Sequence, residues 1–169
     1  MTHAQVPDSL RAASVDGDVE VFRPVFFPRW FDLSTDRPIA GNAALRLTDG
    51  DAKEAEERRW PMPGLSLWDM ALTTFDQARS ANPKEEVRRP VMARARDVYA
   101  LDADDGHPAF ALCRTPLAVV ECGGAGHCSL FGLPYGDSMT KAEAKRLKDL
   151  RDRLRRVFHL VLDEGGRDA

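Results

Sequence analysis

The residues best suited to chemistry crowd into one stretch of the chain. His107, Cys113, Cys122, His127 and Cys128 all fall within residues 107–128. Thiolate and imidazole are the ligands zinc takes at tetrahedral geometry. The spacing suits that metal poorly, because there is no Cys-x2-Cys knuckle and His127 and Cys128 are adjacent. Cys113, Cys122, His127 and Cys128 therefore stand as an alternative zinc site only, and no cofactor is predicted. Cys128 also ends a glycine-rich run whose backbone N–H groups suit an oxyanion. A thiol nucleophile needs a base within reach, and His107, His127 and His159 are the imidazoles on offer. The competing reading makes Cys113 and Cys122 small core residues at strand positions, since unpaired cysteine is among the most buried residue types.

Other patterns fail a check of spacing. Gly123-Gly-Ala-Gly126 resembles a phosphate cradle, but Ser129 stands where glycine or alanine is required and no Gly-Lys-Ser/Thr follows. It reads better as a connection that needs positive φ. Residues 49–54 and 102–113 begin like calcium loops but lack the later ligands and the correctly placed glycine. Both read as solvated turns.

Two segments offer contact surfaces. In residues 22–31 the aromatics Phe22 and Trp30 interleave with Arg23 and Arg29, a pattern that stacks on single-stranded nucleic acid. A core strand with a proline-broken exit explains it better, and a pI near 5.8 is unlike a dedicated nucleic-acid binder. Near the C-terminus, residues 141–159 carry a surplus of five positive charges, which leaves the rest of the chain at −8 within the total of −3. Lys145, Lys148, Arg155 and Arg156 are the candidate contacts, although Asp149 and Asp152 are interspersed with them as on a solvated helix.

The elements that must position these residues follow from composition and periodicity. A chain of 169 residues with 43% hydrophobic content fits one domain with a core of its own. No run of ~18 apolar residues is present, so no membrane partner is expected. Residues 1–18 lack a signal-peptide pattern and read as a loose arm; residues 19–164 form the domain and 165–169 a tail. An odd cysteine count argues for reduced thiols in the cytoplasm.

Residues 19–27 predict a strand, confined by Pro24 and Pro28 to an edge or to a broken strand. Residues 43–48 predict a short strand, and residues 51–59 a short exposed helix stopped by Pro61 and Pro63. Ser66 reads as the N-cap of a helix, with Asp69 three residues on and Leu65 and Met70 as a staple. Trp68, Ala71, Leu72, Phe75 and Ala78 form its apolar face, and Asn82-Pro83 ends it. Residues 90–121 predict a strand meander, with strands at 98–101, 109–112 and 117–120; residues 91–96 also fit helical spacing. A further short strand is placed at 129–131.

The C-terminal helix carries the clearest signals. Thr140 and Glu143 form a capping box behind Met139. Leu147, Leu150, Leu154, Val157, Phe158 and Val161 make one stripe, and Gly165-Gly166 stops the helix after about Leu162.

The expected fold is α+β: a small, mainly antiparallel sheet with two amphipathic helices packed on it, the longer one C-terminal. The expected function is that of a non-catalytic cytoplasmic interaction or accessory protein, binding another protein through the basic helix. The alternatives are a small Cys/His-dependent enzyme or zinc protein built on residues 107–128, and a protein that contacts nucleic acid.

Overall fold

The computed structural model describes residues 6–80, 87–102, 106–118, 123–133 and 140–161. The strands are β1 (Glu20–Phe26), β2 (Phe31–Asp32), β3 (Ile39–Ala40), β4 (Leu65–Asp69), β5 (Arg88–Arg94), β6 (Ala111–Arg114), β7 (His127–Phe131) and β8 (His159–Leu160). The helices are α1 (Asp49–Glu57), α2 (Phe75–Ser80), α3 (Ala95–Tyr99) and α4 (Lys141–Val157). All eight strands join one antiparallel sheet in the order β2-β3-β8-β5-β1-β4-β7-β6. The fold is α+β with the longest helix C-terminal, as expected, but the sheet is larger than the small one expected.

β1 is central in this sheet rather than at its edge, despite its prolines. The register explains why. Odd positions of β1 bond to β5, as Ala95 N–H to Val19 O (2.9 Å) and Phe27 N–H to Val87 O (3.0 Å) show at its two ends. Pro24 and Pro90 face each other between those positions, where neither would donate to the other. Even positions of β1 turn toward β4, where Met70 N–H donates to Glu20 O at 2.9 Å. That ladder stops after Phe22↔Trp68, because Pro24 has no N–H for Ser66.

The helix expected from Ser66 to Ala78 is a strand followed by a shorter helix. Leu65 and Leu67 bury in the main core beside Val21, Val25, Val91 and Leu130, while Trp68 buries on the opposite face with Phe22, Phe75, Ala78 and Met92. A strand covered on both faces reads as a continuous apolar run, and spacing alone does not separate that from a helix. Ser66 caps nothing. The working cap is Thr74, whose hydroxyl accepts from Gln77 N–H at 3.2 Å while Gln77 Oε1 accepts from Thr74 N–H at 2.9 Å. Only the six residues of α2 follow, so α4 is the one long amphipathic helix among the described residues.

Three further expectations change. Residues 98–99 are the end of α3 and residues 100–101 leave it through a turn, so the meander is β5, α3 and β6. Residues 43–48 form turns rather than a strand, with Ala44 and Leu45 buried. The C-terminal helix stops at Val157, one turn before Leu162, where Phe158 turns extended at φ −97°, ψ 108°. The chain then becomes β8 and fills the gap between β3 and β5. Phe158 O accepts from Ala40 N–H (2.9 Å), Leu160 N–H donates to Pro38 O (2.8 Å), and Val161 N–H donates to Pro90 O (3.1 Å). These bonds satisfy both flanking strands, which one more helical turn would leave open.

The α4 capping box forms as read, with Thr140 and Glu143 each accepting from the other's N–H. Leu150 and Leu154 anchor the helix on the core; truncating a buried leucine of this kind costs ~2–5 kcal/mol.

Part of the expected N-terminal arm is fixed. Val15 is 2% exposed, its N–H donates to Leu112 O (3.0 Å), and Ala13 O accepts from Arg114 N–H (2.7 Å). Residues 13–15 thus cover the edge of β6. Met139, Asn82-Pro83, Gly165-Gly166, Cys122 and residues 119–120 lie outside the described residues. Among the described residues, no helix is long and apolar enough to cross a membrane.

Candidate functional site

The Cys/His stretch disperses. Alternation along β7 puts His127 and Ser129 on one face and Cys128 on the other, where Cys128 joins the main core. Cys113 and Cys128 are buried free thiols. Burial pushes both thiols up to about 11, well away from a thiolate nucleophile at neutral pH. His107 lies on an exposed loop. Among the described residues, no group of three His, Cys, Asp or Glu side chains is arranged to hold a metal ion. The glycine run is a packing device: Gly123 (φ 68°) and Gly126 close around Thr73, whose hydroxyl donates to Gly123 O at 2.7 Å.

His127 is locked into the fold. Its Nδ1 lies 2.8 Å from Thr115 O and 3.0 Å from Thr115 Oγ1, which in turn lies 2.7 Å from Ser129 Oγ. A carbonyl only accepts, so Nδ1 carries the proton and Nε2 is the unprotonated nitrogen. Burial is the main reason that its pKa falls to about 4; Arg58 and Arg23 add to this, and the Thr115 bond and Asp51 oppose it. The ring meets Trp68 edge-on at 5.4 Å.

Trp68 and His127 belong to a cleft of about 490 Å3 that opens where Pro24 separates β1 from β4. Side chains replace the missing ladder there. Arg23 Nη1 donates to Ser66 O at 2.6 Å. Asp51, from the first turn of α1, accepts from Ser66 N–H (3.0 Å) and Ser66 Oγ (2.9 Å). The same carboxylate accepts from the N–H and hydroxyl of Thr48, both at 2.7 Å, and so closes the α1 capping box. With four donors this buried charge is well solvated by the protein. The turn expected at residues 49–51 is therefore a helix start with a buried acid.

Neighbouring charges complete the cleft. Glu54 pairs with Arg58 at 2.9 Å, and burial raises its carboxyl pKa against the pull of Arg58. Arg58 also donates to Pro116 O at 3.0 Å, which ties α1 to the loop beside His127. Arg88, opposite Phe26 in the register, lies 4.8 Å over that ring. Trp30 meets Phe26 edge-on at 4.6 Å.

The aromatic and arginine residues expected to touch nucleic acid divide. Phe22 is core, Arg23 and Trp30 line the cleft, and Arg29 is exposed, 4.5 Å over Phe26. Sequence pattern alone does not mark Asp51, Trp68 or Arg88 as residues of this cleft. The Thr48-x-x-Asp51 spacing was the signal available for the first; nothing local marks the other two.

The basic helix also divides. Lys145, Lys148, Arg153 and Arg156 are exposed. Arg155, only 16% exposed, turns inward to Asp32 (2.9 Å) and Asp152 (3.1 Å) and fastens α4 beside β2.

Comparison with protein-family models, with curated proteins and with solved structures finds no match to this chain.

Proposed function

We propose that this chain is a non-catalytic interaction module that binds an acidic protein surface through the outer face of α4. The carrying observation is the separation of roles along that helix. Leu150, Leu154 and Arg155 hold it to the body, while Lys141, Lys145, Lys148, Arg153 and Arg156 face outward among Glu143, Asp149 and the half-buried Asp152, which pairs with Arg155. A fixed row of cations is preorganised for an acidic partner and loses little side-chain freedom beyond its own long arms. The buried, raised thiols of Cys113 and Cys128 and the locked His127 support a non-catalytic reading, and free thiols suit a reducing cytoplasm.

The test uses poly-glutamate as the acidic probe and a single-stranded oligonucleotide as its rival. Expected is poly-glutamate binding that weakens steeply with salt and is lost in a Lys145→Glu, Lys148→Glu, Arg153→Glu, Arg156→Glu variant that melts like the wild type. Unchanged binding in that variant overturns the surface; tighter binding to the oligonucleotide overturns the choice of a protein partner.

A further inference from the structure

We propose that the cleft where β1 and β4 part is a binding site for a small anion carried on a planar ring. The site shares no residue with the outer face of α4 and stands without the reading of that helix.

Of the three carboxylates that line the cleft, Asp51 accepts from Thr48 and Ser66 and Glu54 pairs with Arg58, while Asp49 is exposed to solvent. Two buried atoms of the lining make no hydrogen bond, the acceptor Oε1 of Glu54 and the donor Nε1 of Trp68. Trp68 is 8% exposed, and its Nε1–H, buried in the lining, meets no acceptor. A buried donor without a partner is costly, and a ligand oxygen that reached it would recover that cost. Two cations also converge on the cleft. Burial disfavours the charge on Arg23, Asp51 opposes this, and the nearby Arg88 adds to it. A bound carboxylate or phosphate sits favourably between two guanidinium groups, which match either anion with paired N–H donors.

The walls define the rest of the ligand. Phe26, Trp30 and Trp68 present aromatic surface, which favours a flat ring over an alkyl chain. Neutral His127 supplies an acceptor, Nε2, for a ring N–H or amino group. A cleft of about 490 Å3 is within the usual range for a small-molecule site.

Calorimetric titration of the full chain tests this with two ring-bearing anions, adenosine 5′-monophosphate and indole-3-carboxylate. Adenosine and inorganic phosphate serve as partial ligands. At least one ring-bearing anion is expected to bind, and the tighter of the two identifies phosphate or carboxylate as the anionic group. Adenosine and phosphate alone are expected to bind at least ~10-fold more weakly. Arg88→Gln and Trp68→Phe, the latter keeping the ring and losing the N–H, are each expected to weaken binding ~10-fold, about one hydrogen bond to an anion. Absence of binding by both anions overturns the proposal. So does phosphate binding as tightly as the nucleotide, or unchanged affinity in an Arg88→Gln protein that melts normally. Should Trp68→Phe fail to fold, Arg88→Gln, on a half-buried side chain, carries the test.

Discussion

Arg23 donates to the carbonyl of Ser66 at 2.6 Å, at the register position where Pro24 has no N–H to give. A guanidinium has taken over the work of a backbone amide. Asp51 serves the N–H of the same residue, so both ladder groups of Ser66 are met by side chains. The sheet keeps its hydrogen bonds while its strands separate, and the cleft is the space that results.

This exchange predicts a coupled pair of mutations. Arg23→Met should cost ~1–3 kcal/mol, because it leaves the Ser66 carbonyl without a donor. In a Pro24→Val background a new N–H is available, so Arg23→Met should then cost clearly less. A double-mutant cycle by urea unfolding measures the difference. Equal costs in both backgrounds would show that Arg23 does not stand in for the ladder.

Asp51 should matter more than an ordinary cap. Thr48→Ala removes one side of the capping box and should cost about 1 kcal/mol. Asp51→Asn turns one acceptor oxygen into a donor facing donors and should cost roughly 3 kcal/mol. The urea midpoints rank the two; Asp51→Asn proving no worse than Thr48→Ala would reduce Asp51 to a helix cap.

His127 should make the fold sensitive to mild acid. Its pKa falls from 6.5 when unfolded to about 4 when folded. Above pH 6.5 the ring is neutral in both states and its contribution is fully present. Between 6.5 and 4 the unfolded chain binds a proton that the native state refuses, so stability falls as pH falls. At pH 5 the loss is roughly 2 kcal/mol. His127→Asn keeps a donor for Thr115 O and should remove this part of the loss between pH 7.5 and pH 5, as measured by urea unfolding. An unchanged pH dependence in that variant would assign the effect to other groups.

The thiols should be silent in the native protein. In a Cys122→Ser background, Cys113 and Cys128 should react with Ellman's reagent at pH 8 only at the rate of unfolding. Rapid labelling of either in buffer would restore it as a nucleophile candidate.

What sequence reading recovers here depends on how far each residue's partners lie along the chain. Thr140 and Glu143 cap α4 from three residues apart, so their pattern is readable and correct. Ser66 and Asp69 show a similar pattern, yet Ser66 answers to Asp51 and Arg23, 15 and 43 residues away. Pro24 suggests an edge by local rule, but its opposite number in the sheet is Pro90. His127 and Cys128 look like one cluster because they are adjacent, and strand alternation sends them to opposite faces for the same reason. The cleft is legible only in pieces, since Arg23, Asp51, Trp68, Arg88 and His127 come from four strands and a helix.

The position of β8 bears on how the chain is made. β8 lies inside the sheet and, among the described residues, is the strand that joins the β2–β3 hairpin to β5. On the ribosome, that hairpin therefore gains its neighbour in the sheet only when residues 158–161 have emerged, although Phe31 already packs on Phe27 and β3 on α4. The strands β5, β1, β4, β7 and β6 are neighbours without β8 and can pair once residue 131 is made, so the sheet is assembled in two parts, the second waiting on β8.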